Sequence, residues 1–173
     1  MKYLVRVPIA SLYLRPESPC ELADEALCGW SLELLEELPE GWCKVKTHYG
    51  YTGFTRRNSL VDTDALVAAW QQRPKAVVTR FTADILDAPK VQGGCVETLT
   101  RGAWVSPDGP ADKDGWVPVS LCDGRRGYTK KSFLGEVITA WEPAQEEQLR
   151  EAFVQTALSY MGVQYRWGGR TPL

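Results

Sequence analysis

The stretch Gly41-Trp42-Cys43-Lys44-Val45 returns 74 residues later as Gly115-Trp116-Val117-Pro118-Val119. The same offset joins further pairs on either side: Trp30 and Trp104, Gly53 and Gly127, Phe54 and Tyr128, Thr55 and Thr129, and Leu60 and Leu134. Matches at one fixed offset over this length are typical of an internal repeat. The sequence therefore predicts two copies of one module, at residues 1–62 and 75–138.

Each copy reads as a series of short strands separated by turns. Apolar and polar residues alternate in Trp42–Lys46, as in a strand with one buried face. The segment Ser31–Leu38 is rich in Leu and Glu, so on its own it also fits a helix. Its counterpart around Pro107 and Pro110 cannot be helical, which favours a strand in both copies. Five or six such strands in roughly sixty residues predict a small barrel.

Two helices are predicted outside the repeats. The connecting stretch 63–74 begins with Thr63, ends at Pro74 and carries its apolar residues on one face. We expect this short helix to pack on a neighbour and to hold the two modules in a fixed relation. A longer amphipathic helix is predicted to begin at Pro143 and to end near Gly162.

Composition and charge exclude several classes of function. The 173 residues include 20 Lys and Arg against 22 Asp and Glu, which gives a formal net charge of -2. A nucleic-acid binder would instead carry a basic domain or stripe. The apolar runs are only a few residues long, so neither a membrane-spanning helix nor membrane insertion is expected.

The N-terminal residues bear on the location of the protein. The apolar run in Met1–Pro8 is short and is interrupted by Arg6, so it reads as a strand and not as a secretory signal. We expect a cytoplasmic protein. A secreted or wall-bound protein whose leader has been removed is the alternative.

The sequence has five cysteines, an odd number with no Cys-x-x-Cys pair: Cys20, Cys28, Cys43, Cys95 and Cys122. Neither a disulfide framework nor a zinc site fits this pattern, so we predict reduced thiols. The single histidine, His48, lies in a turn beside Tyr49 and Gly50. We expect no metal and no cofactor.

The repeated segments carry a first resemblance. The Gly-Trp stretch and the Gly-(Phe/Tyr)-Thr stretch of each copy are similar to those of bacterial SH3-like domains. Glycines permit tight turns, and aromatic residues fill a core too small to be built from aliphatic side chains alone. The resemblance implies a mainly β fold class: two tandem SH3-like small barrels with a short inter-barrel helix and a C-terminal amphipathic helix.

The final residues carry a second resemblance. The helix is followed by Met161-Gly162-Val163-Gln164-Tyr165-Arg166-Trp167-Gly168-Gly169, which is similar to the segment that opens the catalytic domain of NlpC-type cysteine peptidases. These are papain-like enzymes of the bacterial cell wall. In that family the catalytic cysteine follows a few residues later, which here would lie beyond Leu173. We therefore expect residues 139–173 to be a helix and the N-terminal edge of a truncated NlpC-type domain, packed against the missing catalytic part.

The two resemblances together imply a function. Tandem SH3-like modules ahead of an NlpC-type domain resemble the γ-D-glutamyl-L-diamino-acid endopeptidases. The expected function is the substrate-positioning or targeting region of a cysteine endopeptidase that cleaves γ-D-Glu-diamino-acid bonds in peptidoglycan stem peptides, in the turnover of released muropeptides. The expected partner is a stem peptide of L-Ala-γ-D-Glu-diamino acid. A stand-alone cell-wall binding module without activity is the alternative, and an interaction protein unrelated to walls is a third.

The chemistry of such an enzyme needs a thiolate that attacks a peptide carbonyl and a histidine that moves the proton. His48 and all five cysteines belong to the β-modules. We therefore assign no catalytic residue and expect this chain alone to hydrolyse nothing.

Three tyrosines are candidate substrate-binding residues. In the family, the tyrosine of the Tyr-x-Trp-Gly-Gly segment helps to recognise the free amino end of an L-Ala-γ-D-Glu peptide, and by position this is Tyr165. The first module closes one side of that site, for which Tyr51 and Tyr49 are candidates because they lie on an exposed-looking turn. An ordinary packing or surface aromatic is the alternative for each, and it is our interpretation of Trp167.

Overall fold

The computed structural model describes residues 1–138, 140 and 142–171 and contains two seven-stranded antiparallel sheets. The strands of the first sheet are β1 Lys2–Val5, β2 Ile9–Tyr13, β3 Leu22–Leu27, β4 Ser31–Leu38, β5 Trp42–Thr47, β6 Thr52–Arg56 and β7 Leu60–Val61. Their order across the sheet is β3-β2-β6-β5-β4-β1-β7.

The second sheet repeats this arrangement. Its strands are β8 Ala76–Val78, β9 Thr82–Leu86, β10 Cys95–Thr100, β11 Trp104–Pro107, β12 Trp116–Ser120, β13 Arg126–Lys130 and β14 Leu134–Glu136. The order β10-β9-β13-β12-β11-β8-β14 places each strand where its counterpart lies in the first sheet. The predicted mainly β fold with two small barrel-like modules is confirmed.

The Leu- and Glu-rich segment Ser31–Leu38 forms a strand, as the repeat predicted, and not a helix. It pairs with β5 through Leu32 and Thr47 at one end and Leu38 and Trp42 at the other. Leu32 is buried and Glu33 is exposed, so neighbouring side chains point to opposite faces of the sheet. Pairing to β5 and burial of one face override the intrinsic helix preference of Leu and Glu.

Each module has seven strands where the sequence predicted five or six. The predicted strands of the first module did not include the two-residue β7, nor β3, which follows the loop around Pro16 and Pro19. Its sequence does not alternate in burial, because Asp24 and Glu25 are buried together with the apolar residues that follow them. A period of two was therefore absent at this strand, and the strand was missed.

The helix between the modules is α1, Asp64–Gln72, and it packs as predicted. Val67 and Trp70 are buried in a core that includes Leu4 and Cys28 of the first module and many residues of the second. The Trp70 indole Nε1 donates a hydrogen bond to the Gly29 carbonyl at 2.9 Å. Because one apolar core is shared, the two modules and the helix are held in a fixed relation.

The C-terminal helix α2 covers Glu146–Leu158. It begins later than predicted, because Pro143–Gln145 form a separate 3-10 turn ahead of it. Gly162 lies beyond the helix end with φ of +86°, a left-handed conformation that suits glycine. No residue of α2 is buried, and its apolar residues Phe153, Val154 and Leu158 are exposed. No helix among the described residues is long and apolar enough to span a membrane.

Candidate functional site

The segment after α2 folds back onto strand β3 of the first module, and we call residues 159–171 the tail. Tyr160 contacts Phe81 of the second module, with the two ring centroids 5.3 Å apart. Gly168 has φ of +70°, and a Cβ at this position would lie 2.6 Å from the Leu22 carbonyl oxygen. Only glycine fits here without displacing backbone, so Gly168 permits the close approach of the tail to β3.

Glu25 of β3 is a buried acceptor for the tail. Its side chain is 0% exposed. One carboxylate oxygen, Oε1, accepts a hydrogen bond from Arg166 Nη1 at 3.2 Å. The other, Oε2, accepts from the backbone N–H of Arg170 at 2.8 Å and from the Thr171 hydroxyl at 3.4 Å. Both oxygens of this buried carboxylate are therefore bound by the tail.

Asp24, the preceding residue, is 3% exposed and holds the second arginine. Its Oδ1 accepts from Arg170 Nε and from the Glu25 backbone N–H, the latter at 2.9 Å. Its Oδ2 accepts from Arg170 Nη2 at 3.2 Å and from the Tyr49 hydroxyl at 2.6 Å. This two-point contact with a guanidinium is strong and directional.

Tyr49 joins the carboxylates to an aromatic cluster at the module junction. Its ring lies under the Arg170 guanidinium, 4.5 Å from centroid to Cζ, and 4.8 Å from the His48 ring centroid. Trp30 contacts both rings edge-on, at 5.2 Å from His48 and 6.0 Å from Tyr49. The Trp30 indole in turn donates to the Gly102 carbonyl of the second module at 2.9 Å.

The titration of these two side chains is perturbed by their surroundings. Burial and the hydrogen bond to Asp24 raise the pKa of Tyr49, so its hydroxyl stays protonated and remains a donor to the carboxylate. Partial burial and the positive charge of Arg170 lower the pKa of His48 below its ordinary value of 6.5. The His48 imidazole is therefore neutral at pH 7.

Comparison with known proteins agrees with the resemblance of the tail sequence to NlpC-type peptidases. No family model matches the chain. Over 176 residues the chain is 37% identical to dipeptidyl-peptidase 6 of Lysinibacillus sphaericus, with 100% of this chain and 64% of that protein covered. The chain resembles the NlpC-type peptidases. It spans about two thirds of the length of this relative.

Two solved structures share the fold. An NlpC/P60 family protein from Bacillus cereus ATCC 10987 superposes with a TM-score of 0.77 at 16% identity, covering 99% of this chain and 67% of that one. An NlpC/P60 endopeptidase from Photobacterium damselae subsp. piscicida gives a TM-score of 0.50 at 12% identity, covering 78% and 33%. At these identities the likeness shows the fold alone.

The structure brings one of the three predicted substrate-binding tyrosines to the tail contact. Tyr49 is 39% exposed and is shared between Asp24 and Arg170. Tyr51 is 53% exposed, and Tyr165 on the tail is 80% exposed. Within the described residues, the side chains of Tyr51 and Tyr165 make no hydrogen bond or ring contact, so their role in substrate binding stays a prediction.

Asp24 and Glu25 were not predicted from the sequence as part of this site. The available signal was an Asp-Glu pair inside the short apolar segment Leu22–Leu27, since charged residues are seldom fully buried unless they are paired. The partners lie more than 140 positions away, at Arg166 and Arg170. No local pattern could have linked the two.

All five cysteines of the chain are free thiols. Cys28, Cys43 and Cys122 are buried. The neighbouring Cys122 thiol and burial raise the pKa of Cys28, and burial raises the pKa of Cys43. A raised thiol pKa lowers the thiolate fraction and hence the reactivity. In the part of the chain that the structure describes, no cluster of three metal-ligating side chains is present.

Proposed function

We propose that this chain is the substrate-positioning region of a cysteine endopeptidase that cleaves γ-D-Glu-diamino-acid bonds in peptidoglycan stem peptides. The observation that carries the proposal is the docking of the tail on β3. The tail has the Tyr-x-Trp-Gly-Gly segment that resembles the opening of an NlpC-type catalytic domain, and Arg166 and Arg170 anchor it to the first module. A catalytic centre that continues from the tail would start beside Tyr49.

Tyr49 suits recognition of the free amino end of such a peptide. Its hydroxyl proton is committed to Asp24, so towards a substrate ammonium the oxygen can act only as a hydrogen-bond acceptor. The exposed rings of Tyr165 and Tyr51 offer further apolar surface and further hydroxyls for binding. We assign these three tyrosines to the stem peptide of L-Ala-γ-D-Glu-diamino acid.

Among the described residues, no hydrogen bond joins the single histidine to a cysteine, as the catalytic pair of the proposed reaction would require. The surroundings of this histidine, His48, are the rings of Trp30, Tyr49 and Trp104 and the cation of Arg170. Histidine beside a cation is disfavoured as a proton acceptor. We therefore propose that the chain alone binds but does not hydrolyse.

The proposed partner of the exposed face of α2 is the catalytic domain. Phe153, Val154 and Leu158 of this helix are all more than half exposed, and exposed apolar side chains of this kind are typical of a contact surface. For location we propose the cytoplasm, where stem peptides released during wall turnover would be the substrates. Recovery of the natural protein from culture medium with its leader cleaved would contradict this location.

A wall-binding module without catalysis is the second candidate function. This candidate accounts for the aromatic surroundings of His48 as well as the first does, because in both of them this histidine needs no cysteine partner. Under this alternative the exposed tyrosines would hold wall fragments and nothing would be cleaved by the natural protein.

The coding sequence beyond Leu173 separates the two candidates. A cysteine within about ten codons, followed by downstream histidines, supports the endopeptidase, whereas a stop codon supports the wall-binding module. A second test is incubation of the pure 173-residue chain with a γ-D-Glu-diaminopimelate peptide. We expect no product, and measurable turnover would contradict the proposal that the chain alone is inactive.

A further inference from the structure

We propose that Asp24 and Glu25 form an acidic latch that selects the first module as the docking site of the tail, and that Arg170 thereby acts as a positioning residue for Tyr49. The acidic latch is defined as these two carboxylates. Its occupant is residues 166–171 of the same chain. The positioning of Tyr49 for substrate rests on the proposed function. The docking of the tail rests only on the contacts in the structure.

The acidic latch is buried, and its two negative charges face two positive charges of the tail. Two carboxylates that are almost fully removed from water meet two guanidinium groups, those of Arg166 and Arg170. The tail itself covers these carboxylates, so its release would exchange charge-assisted hydrogen bonds in a site shielded from water for hydrogen bonds to water. Docking is therefore coupled to the charge of β3 and not only to apolar contact.

The latch is absent from the second module, although the strands correspond. In the first module Asp24 pairs with Leu12, and at the equivalent place in the second module Glu97 pairs with Ile85. Glu97 accepts at 3.2 Å from Arg125 of its own module, and the neighbouring Thr98 donates to Asp84 at 2.7 Å. These side chains are bonded locally, so the free carboxylate pair that the tail needs is a feature of β3 and not of its counterpart β10.

The latch also fixes the substrate-side tyrosine. Asp24 Oδ2 is shared by the Tyr49 hydroxyl and Arg170, and the Arg170 guanidinium covers the Tyr49 ring. Arg170 thus holds Tyr49 from two sides, through the shared carboxylate and through the ring face. Loss of Arg170 would remove the contact on the Tyr49 ring face and one of the two partners of the shared carboxylate oxygen, without removing any group that touches substrate.

Limited trypsin digestion of the whole chain tests the docking. Trypsin cuts after arginine, so the Arg166–Trp167 bond is cleavable only when the tail is released, and cleavage follows the released fraction when opening is fast. We expect Asp24→Asn and Arg170→Gln each to accelerate this cleavage, followed by mass spectrometry, by about tenfold or more. Arg170→Gln changes only the tail, so the test holds even if Asp24→Asn disturbs the strand.

Glu97→Gln is the matched control, because it removes the equivalent carboxylate of the second module. We expect it to leave cleavage after Arg166 unchanged. The double variant Asp24→Asn with Arg170→Gln should be cleaved little faster than either single variant, since both remove one interaction. Cleavage of Asp24→Asn and Arg170→Gln at the parent rate, or fold-changes that multiply in the double variant, would overturn the latch.

Binding of a stem peptide, measured by calorimetry on the same variants, separates the latch from the proposed function. We expect Arg170→Gln to weaken binding of L-Ala-γ-D-Glu-diaminopimelate about tenfold with near-normal thermal stability, because Tyr49 is no longer held. Accelerated cleavage with unchanged peptide affinity would overturn the positioning role of Arg170. Accelerated cleavage without any peptide binding by the parent chain would contradict the proposed function and leave the docking latch supported.

Discussion

Tyr49 is the residue at which the first module, the tail and the aromatic cluster meet. Its hydroxyl donates to Asp24, its ring face contacts Arg170, and its ring edge lies against Trp30 and His48. Each contact constrains one degree of freedom of the side chain. A residue held in this way is pre-organised for binding, because little further ordering is needed when a ligand arrives.

The hydroxyl of Tyr49 should contribute measurably to stability. Tyr49→Phe removes a 2.6 Å hydrogen bond to a buried carboxylate, which we expect to cost about 1–3 kcal/mol of the free energy of unfolding. Urea denaturation followed by tryptophan fluorescence measures the change. Tyr51→Phe is the matched control on the same turn, with an expected change within about 0.5 kcal/mol. Equal effects of the two substitutions would contradict the role given to Tyr49.

His48 offers a direct readout of Arg170, because it is the single histidine of the chain. Burial and Arg170 lower its pKa below 6.5. By NMR titration we therefore expect Arg170→Gln to raise the pKa of His48, while Arg125→Gln in the second module leaves it unchanged. A parent His48 that titrates at or above 6.5 would contradict the described contact.

The lowered pKa of His48 also determines how the free energy of unfolding depends on pH. A histidine whose pKa is lower in the folded state binds its proton more readily when unfolded. Above pH 6.5 His48 is neutral in both the folded and the unfolded state, so its titration does not affect the free energy of unfolding there. As the pH falls below 6.5 towards the lower pKa of the folded state, the unfolded chain binds the proton first and the folded state loses stability. We expect His48→Gln to reduce the loss of unfolding free energy between pH 7.5 and pH 5.5, measured by urea denaturation at both values. An identical loss in the variant and the parent would contradict this.

At the scale of single elements, strands were predictable where burial alternates and glycines mark the turns. Ser31–Leu38 and Trp42–Thr47 have such patterns, and the repeat settled the helix-or-strand ambiguity of the first of them. Strand β3 was not predictable in this way, because its two carboxylates are buried by contacts with a segment distant in sequence. The start of α2 at Glu146 also differed, since the proline at position 143 opens a 3-10 turn.

The two helices should respond differently to loss of an aromatic side chain. Trp70 of α1 is buried between the modules, so Trp70→Ala is expected to cost about 3–5 kcal/mol. Phe153 of α2 is 75% exposed, and Phe153→Ala should change stability by less than about 0.5 kcal/mol. Chemical denaturation of both variants tests this. A large loss for Phe153→Ala would show that α2 already packs on a partner in this chain.

At the scale of the whole molecule, the C-terminal tail returns to contact the N-terminal module. The shared core and α1 join the two modules, and the tail returns from the second module to the first through the Phe81–Tyr160 and Asp24–Arg170 contacts. The sequence predicted the tandem barrels and the resemblance of the tail. It did not predict that the tail docks on the first module, because ion pairs between distant residues leave no periodic signal.

Calorimetric titration of this chain with the free peptide L-Ala-γ-D-Glu-diaminopimelate and with its N-acetylated form tests the central claim. Substrate positioning at Tyr49 requires the free ammonium, so we expect the free peptide to bind and acetylation to weaken binding by about tenfold or more, equivalent to roughly 1.4 kcal/mol. Tyr49→Phe alters this contact, and in that variant the difference should shrink. Equal affinity of the parent chain for both peptides, or binding of neither, would contradict the claim that the chain positions stem peptides.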